Sequence, residues 1–264
     1  MTPGPATPPP LGGGTGAQLE GKRFVVTGAG RGIGAAVAAA FIDEGADVVG
    51  LDVVYPSTTT LDESRAMVCD VSVRSQVIGA IGDAVELMGG LDGLVNVAGI
   101  ERRVAAQDIT EDEWDEMLDI HLRGTFVTNQ VAFGHLNASG GRIINFGSHS
   151  GLTAHPHGAH YSAAKGGVIA WTRTVAQEWG PYGITANCVL PAIATPMYEE
   201  YRAQRSPEEL REHDERMAQQ IPIGGRLGDA RLDLAPVLVF LASDASHFVT
   251  GQLIAITGGY GTTR

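Results

Sequence analysis

Residues 23–34 read RFVVTGAGRGIG, and this stretch decides the fold. RFVVT has the β-branched and aromatic composition of a buried strand, and the helix-forming run AAVAAAF follows Gly34 directly. A glycine-rich turn between a strand and a helix lets a phosphate approach backbone amides at the helix N-terminus. The stretch therefore predicts the first βα unit of a dinucleotide-binding fold, with candidate cofactor contacts at Gly28, Arg31, Gly32, Ile33 and Gly34.

Seven short apolar runs alternate with helical patterns through the rest of the chain. The runs are continuously apolar, which is typical of parallel strands covered on both faces by helical crossovers. We therefore predict a single α/β domain over residues 20–264, a Rossmann-type doubly wound parallel sheet of about seven strands with helices on both faces. The predicted strands are 23–27, 47–51, 66–69, 93–97, 142–146, 185–190 and 253–256, and the predicted helices are 33–44, 73–88, 111–136, 159–179 and 232–242.

Two segments depart from this alternation. Residues 1–19 contain five prolines, five glycines and no charge, and we predict a disordered tail because the segment has little to bury. Near residues 196–222 an insertion with a densely charged, helical stretch separates the sixth strand from the seventh.

Composition excludes several classes of function. The formal net charge of −12 disfavours nucleic acids and anionic membranes as partners, because both are polyanions. No apolar run approaches the roughly 20 residues of a membrane span, and the first basic residue is Lys22, so no secretory leader is expected. Only two cysteines, Cys69 and Cys188, occur, and we expect both to be small buried strand residues of a reduced, cytoplasmic protein with no metal site.

Asp52 ends the second predicted strand, 24 residues after Gly28. A carboxylate at this position can accept hydrogen bonds from an adenosine ribose and repels a 2′-phosphate, so NAD is the predicted cofactor. Arg31, within the glycine-rich loop, is the one nearby cation that argues for NADP instead.

Tyr161 and Lys165 lie four residues apart in the sequence AHYSAAK and share one helix face. An ammonium beside a phenol favours the phenolate, so we expect a lowered Tyr161 pKa and a general acid/base role. Ser148 follows the strand RIINF, 13 residues earlier, where its hydroxyl can hydrogen-bond a substrate oxygen.

The glycine-rich TGAGRGIG, CDVS at 69–72, NVAG at 96–99, Ser148, Tyr161-x3-Lys165 and LPAIATPM at 190–197 together resemble the short-chain dehydrogenase/reductase family. The resemblance covers roughly residues 20–260 and implies that Tyr161 exchanges the substrate proton, Lys165 also binds the nicotinamide ribose, and Ser148 positions the substrate oxygen. It implies a lid over the substrate for the insertion and a homotetramer for the assembly. It further implies cofactor-binding roles for Asp70 and Val71 at the adenine, for Asn96, Ala98 and Gly99 behind it, and for Pro191, Ile193 and Thr195 near the nicotinamide.

The chain departs from the family pattern at three positions. Val97 replaces the second Asn of the NNAG motif, and Ala192 replaces a glycine after the sixth strand. His121 stands where the resemblance implies a fourth catalytic member, an Asn that distorts its helix and supports a water relay behind the lysine. We expect the His121 ring to join this relay and titrate near pH 6.5, or to fill the Asn position as packing alone.

The expected activity is NAD(H)-dependent interconversion of a small-molecule secondary alcohol and a ketone by hydride transfer. One alternative is reduction of a 3-oxoacyl thioester on a carrier protein or coenzyme A, which the negative charge disfavours. The other is a non-catalytic dinucleotide-binding protein, whose usual sign would be loss of Tyr161 or Lys165. Arg102 and Arg103 are the basic pair near the predicted cleft and are expected to serve a small anionic substrate, if any.

Overall fold

A computed structural model describes residues 17–57 and 59–261 of the protein. Its centre is one seven-stranded sheet in the order β3-β2-β1-β4-β5-β6-β7, and every neighbouring pair is parallel. The predicted doubly wound architecture is confirmed. The strands are β1 (Arg23–Thr27), β2 (Asp47–Asp52), β3 (Ala66–Val68), β4 (Gly93–Asn96), β5 (Gly141–Phe146), β6 (Ile184–Pro191) and β7 (Leu253–Ile256).

Helices cover both faces of the sheet because successive strand residues point to opposite sides. In β1, Phe24 and Val26 pack into one core and Val25 packs into the other. The first core also takes α1 and α8, and the second takes α2, α4 and α5. The helices are α1 (Gly32–Asp43), α2 (Arg74–Met88), α3 (Glu111–Leu118), α4 (Gly124–Leu136), α5 (Ala159–Trp179), α6 (Pro196–Ala203), α7 (Pro207–Gln220) and α8 (Ala235–Ala242).

One predicted helix is two. The pattern over 111–136 is interrupted at Asp119–Arg123 by a π-helical turn, which separates α3 from α4. The Gly124 amide donates to the Asp119 carbonyl, five residues back, and the Thr125 hydroxyl donates to the His121 carbonyl at 2.7 Å. Hydrophobic periodicity does not reveal such a turn, because one wider turn leaves the buried face almost unchanged.

Helix α8 is also shorter than its predicted range of 232–242. A π-helical turn at Ala230–Leu234 precedes it, and the Asp229 carboxylate accepts the amides of Arg231 and Leu232 there. Pro236, in the first turn of α8, has no amide to donate. The helix therefore begins at Ala235.

The predicted tail needs one correction at its inner boundary. Residues 1–16 lie outside the described part of the chain, but Leu19 is fully buried in the first core. Its amide donates to the Glu44 carbonyl at 2.9 Å. The packed domain therefore already includes Leu19, because this residue is buried in the core and hydrogen-bonded to the residue that follows α1.

Both cysteines are buried and free, as predicted. In the described residues, no helix has the length and hydropathy that a membrane crossing would need. The same residues contain no group of three or more His, Cys, Asp or Glu side chains arranged to hold a metal ion.

A buried polar network joins the sheet to the helices beneath the carboxyl ends of the strands. Asn145, in β5, accepts from Asn96 of β4 at 2.8 Å and exchanges two hydrogen bonds of 3.0 Å with Asn129 of α4. Asn145 also donates to Thr172 of α5, and Trp171 donates to Asn129. Each side-chain amide is buried and satisfied, so the network has one low-energy arrangement.

Candidate active site

A cleft of about 310 Å³ opens at the carboxyl edge of the sheet, where the strand order reverses between β1 and β4. Ligands of open parallel sheets bind at this switch point. Eleven of the predicted cofactor residues line the cleft together, although they come from five separate stretches of sequence: Gly28, Arg31, Gly32, Ile33, Gly34, Asp52, Asp70, Val71, Ala98, Gly99 and Thr195.

The glycine-rich loop forms a tight cradle at the N-terminus of α1. A Cβ added to Gly34 would lie 2.6 Å from the Gly28 carbonyl carbon, so no larger residue fits there. Arg31 occupies the cap position of α1 and gives the first turn no side-chain hydrogen bond. Amides at a helix N-terminus with no capping side chain suit a phosphate group.

Gly30 is a member of this cradle that the motif analysis missed. A Cβ at Gly30 would lie 2.9 Å from the Asp52 carboxylate and closer still to the Val54 carbonyl. The Gly30 amide donates to Asp52 Oδ2 at 2.8 Å, and the Val54 amide donates to Asp52 Oδ1 at 3.3 Å. Asp52 therefore joins the loop to β2 as well as facing the cleft, and a fourth glycine within eight residues was the available signal.

A second carboxylate that lines the cleft, Asp70, is also hydrogen-bonded to its own loop. Asp70 accepts the Ser72 amide at 2.9 Å and the Ser72 hydroxyl at 2.7 Å. Val71 is buried and lines the cleft beside it. The fit to a nicotinamide dinucleotide is good: a phosphate cradle, a carboxylate at the end of β2 and an apolar wall follow one another along the cleft.

Five predicted cofactor residues do not line this cleft: Tyr161 and Lys165, which belong to the catalytic group described next, and Asn96, Pro191 and Ile193. Asn96 is buried in the amide network, where the Thr128 hydroxyl donates to its side-chain amide oxygen at 2.6 Å. It therefore supports the cleft from behind. Pro191 ends β6, and Ile193 faces a second cavity of about 560 Å³. Thr195 lines the cleft and also caps α6, because its hydroxyl accepts the Tyr198 amide at 3.2 Å.

Ser148, Tyr161 and Lys165 come together next to the cleft. Helix α5 begins at Ala159, so Tyr161 lies in its first turn and Lys165 one turn later. Lys165 Nζ lies 5.7 Å from the centroid of the Tyr161 ring and donates to the Phe146 carbonyl at 2.7 Å. Ser148, two residues beyond β5, forms a side-chain hydrogen bond with Tyr161. The predicted triad is therefore assembled.

Burial controls the protonation of this triad. It lowers the pKa of Lys165 to about 8, since the ammonium is almost completely removed from water. It raises the pKa of Tyr161 to about 12, and the hydrogen bond from Ser148 opposes this rise only in part. The expectation of a Tyr161 pKa lowered by Lys165 is thus wrong for this structure: desolvation outweighs the neighbouring cation, and Tyr161 is a neutral phenol at physiological pH.

His121 connects the cleft wall to Tyr161. Its side chain is buried in the π-helical turn, and Nε2 lies 2.7 Å from the Ile100 carbonyl oxygen. The ring meets the Tyr161 ring edge to face at 5.3 Å and leaves Nδ1 without a hydrogen-bond partner. A Cβ on Gly99 would lie 2.9 Å from that Nδ1. The ring is therefore confined on three sides.

The pKa of His121 lies well below 6.5, first because of burial and second because of the positive charge of Lys165. The ring is neutral at physiological pH. The expectation that it titrates near pH 6.5 is therefore wrong, because a site that already holds one buried cation does not accept a second.

Two histidines lie near the start of α5. His160, in the first turn of α5, is fully buried with neither ring nitrogen hydrogen-bonded. The ring of His155, which precedes the helix, lies 6.0 Å from the Tyr161 ring. His155 Nε2 also lies 3.6 Å from a carboxylate oxygen of Glu101, a residue that sequence reasoning did not single out.

The predicted insertion forms a helical hairpin of α6 and α7 beside the cleft. Tyr198 of α6 hydrogen-bonds His213 of α7 at 2.8 Å, and Arg202 forms an ion pair with Asp214. No residue of α7 is fully buried, and these two contacts join α7 to α6.

Comparison with known proteins assigns the family. Residues 28–261 match a family model described as "Enoyl-(Acyl carrier protein) reductase". The chain is 36% identical over 251 residues to the (2S)-[(R)-hydroxy(phenyl)methyl]succinyl-CoA dehydrogenase subunit BbsD of Thauera aromatica, covering 91% of this chain and 97% of BbsD. It is 38% identical over 251 residues to L-fucose dehydrogenase of Oryctolagus cuniculus, covering 93% and 87% of the two chains.

Among solved structures, ligand-free aldohexose dehydrogenase (AldT) of Thermoplasma acidophilum superposes with a TM-score of 0.85 at 28% identity, covering 94% of this chain and 97% of that one. Fold, motif order and relatives agree, and the chain belongs to the short-chain dehydrogenase/reductase family of oxidoreductases.

Proposed function

We propose that the protein is an NAD(H)-dependent oxidoreductase that interconverts a secondary alcohol and a ketone. The observation that carries the proposal is the assembly of Ser148, Tyr161 and Lys165 beside a cleft with a phosphate cradle. A nicotinamide cofactor bound in the cleft would supply hydride transfer to and from the carbinol carbon. The loop residues Gly28–Gly34 would hold its phosphates and Asp52 its adenosine ribose.

Tyr161 handles the proton. With a pKa raised to about 12, the phenol carries its proton at physiological pH and is ready to donate it to a ketone oxygen. Alcohol oxidation runs the same path in reverse: Tyr161 must first release its own proton, and the phenolate then accepts the hydroxyl proton. Ser148, already bonded to Tyr161, holds the substrate oxygen where charge develops.

His121 has a positioning role in this proposal. Its ring is neutral, fixed to the Ile100 backbone and packed edge-on against Tyr161, so it sets where the phenol points without titrating. The packing interpretation of the substitution is therefore favoured over the titrating relay.

NAD is proposed over NADP because the Gly30 and Val54 amides hold the Asp52 carboxylate in place at the cleft, while Arg31, which also lines the cleft, is solvent-exposed. A 2′-phosphate would meet the carboxylate first. Assembly as a homotetramer remains an expectation from the family.

A second candidate is oxidoreduction of an acyl thioester. The observation favouring it is the similarity to BbsD, whose name specifies a succinyl-CoA derivative. The net charge of −12 argues against an acidic carrier protein as the partner.

The test is NADH formation by the purified protein with a panel of secondary alcohols, sugars and hydroxyacyl thioesters. Tyr161→Phe should abolish turnover and leave NAD affinity within about threefold of the parent, because the lost hydroxyl acts only in the transition state. Undiminished turnover in Tyr161→Phe would contradict the mechanism. Preferential turnover of thioesters would favour the second candidate.

A further inference from the structure

Two loops meet beside the catalytic phenol and form a wall next to its ring. The chain after β4 pairs with the chain before α5 through a parallel bridge between Val104 and Gly158. The Val104 amide donates to the His157 carbonyl at 2.8 Å, and Arg103 donates to the Pro156 carbonyl at 3.4 Å. The wall is therefore held by backbone contacts, and its side chains have defined positions.

Glu101 and His155 stand on this wall next to Tyr161. His155 Nε2 lies 3.6 Å from Glu101 Oε1, and the His155 ring lies 6.0 Å from the Tyr161 ring. His155 Nε2 is inaccessible to solvent and has no hydrogen-bond partner. The Glu101 side chain keeps 44% of its surface exposed, and its charge contributes to the raised pKa of Tyr161.

Positive charge on the same wall is already engaged. Arg102 donates twice to the Glu116 carboxylate, at 2.9 Å each, and Arg103 is turned toward Pro156. The anionic-substrate role expected for these arginines thus has no support here: both are engaged elsewhere, and the charge of this wall that raises the pKa of Tyr161 is the Glu101 carboxylate. An anionic substrate would be repelled by it, and a wholly apolar one would desolvate it without a partner.

We propose that Glu101, backed by His155, recognises a substrate hydroxyl adjacent to the carbinol that Tyr161 serves, so that the substrate is an uncharged polyhydroxylated molecule of the sugar or polyol class. This rests on the proposed oxidoreductase function. A carboxylate only accepts hydrogen bonds, and a hydroxyl next to the reacting carbinol is a donor of the kind it binds. The contact is charge-assisted, which makes it stronger than a neutral hydrogen bond.

The first test measures kcat/KM with NAD for matched pairs: monosaccharides against their deoxy analogues, and cyclohexane-1,2-diols against cyclohexanol. The parent should prefer the hydroxylated member by about 10- to 100-fold. Glu101→Ala should bring that ratio close to one, because it should lower kcat/KM for the hydroxylated substrate and leave kcat/KM for the other member unchanged. Glu86→Ala, which removes an exposed carboxylate on α2 and leaves the Arg102–Glu116 pair intact, should leave the ratio unchanged.

The second test separates binding from turnover. In the Tyr161→Phe background with NADH present, calorimetry should give a Kd for the best hydroxylated substrate that rises about 10-fold or more on adding Glu101→Ala. An unchanged Kd, or equal parent rates for both members of every pair, would overturn the hydroxyl assignment. A preference for 2-aminocyclohexanol over the diol would also overturn it in favour of a cationic group. Failure of every alcohol to reduce NAD would instead overturn the proposed function itself.

Discussion

Replacing Gly99 with alanine tests whether the confined His121 ring controls Tyr161. The backbone at Gly99 is outside the left-handed region, so alanine is allowed there except for its contact with the ring. The new Cβ would lie 2.9 Å from His121 Nδ1 and closer still to Cε1 of the same ring, against an ordinary separation of about 3.5 Å or more. The ring must therefore retreat by roughly 1 Å.

The ring cannot retreat freely. One movement breaks the 2.7 Å contact with the Ile100 carbonyl, and another presses the ring into Tyr161, whose centroid is 5.3 Å away. We expect Gly99→Ala to cost about 1–3 kcal/mol in unfolding free energy as an overpacked site. We expect kcat to fall by about 10- to 100-fold, because displacement of the proton donor by a fraction of an ångström is sufficient for that loss.

The assay is a double-mutant cycle with His121→Asn, read by chemical denaturation and by kcat. Since the shorter side chain leaves room for the Cβ, Gly99→Ala should do much less harm in that background, with a coupling of about 1–2 kcal/mol. Gly134→Ala is the matched control, because nothing lies within 4 Å of its added Cβ. An unaffected Gly99→Ala, or one equally harmful with and without His121, would refute the reasoning.

Three further outcomes are expected. Asp52→Asn keeps an oxygen for the Gly30 amide but removes the negative charge. In cofactor titrations the parent should bind NAD about 10- to 100-fold more tightly than NADP, and the variant should show a smaller difference. Equal affinities for the two cofactors in the parent would contradict the role of Asp52. The pKa of His121 is lowered on folding, so the native state loses stability as the pH falls below 6.5. His121→Asn should therefore flatten the dependence of Tm on pH below 6.5 and leave the shape of the pH–rate profile above pH 6 unchanged. Loss of a limb of that profile near pH 6.5 would instead show that the ring titrates. Asn145→Ala leaves several buried partners unsatisfied and should lower the free energy of unfolding by more than about 3 kcal/mol in chemical denaturation. Asn137→Ala, at an exposed position, should change it by less than about 0.5 kcal/mol. Similar losses in both variants would show that the amide network does not stabilise the fold.

The architecture was predictable from the sequence because it depends on local patterns. Continuous apolar strands, helical periodicity and the glycine-rich turn each act over a few residues, and the seven parallel strands and the cleft lining follow from them. The Tyr161–Lys165 pairing was predictable for the same reason, since four residues are one helical turn.

What the sequence did not reveal depends on contacts between distant segments. The pKa of Tyr161 is set by how deeply the folded chain buries the phenol, and the spacing to Lys165 carries no information about that depth. Glu101 and His155 are 54 positions apart, and the bridge at Val104 and Gly158 brings them together. Asn145, a polar residue within an apolar strand, was a visible signal that only the partners in α4 and α5 explain.

The amide network around Asn145 has a practical consequence for redesign. A purely aliphatic interface can slide by part of a turn with little penalty, but amides that each satisfy a specific partner admit a single alignment of α4 and α5 on the sheet. The segment that carries Tyr161 and Lys165 is anchored by that alignment, while the wall at Glu101 and the hairpin of α6 and α7 lie outside it. Grafting loops from other family members onto these outer segments should therefore change which alcohol is accepted without moving the groups that transfer the proton.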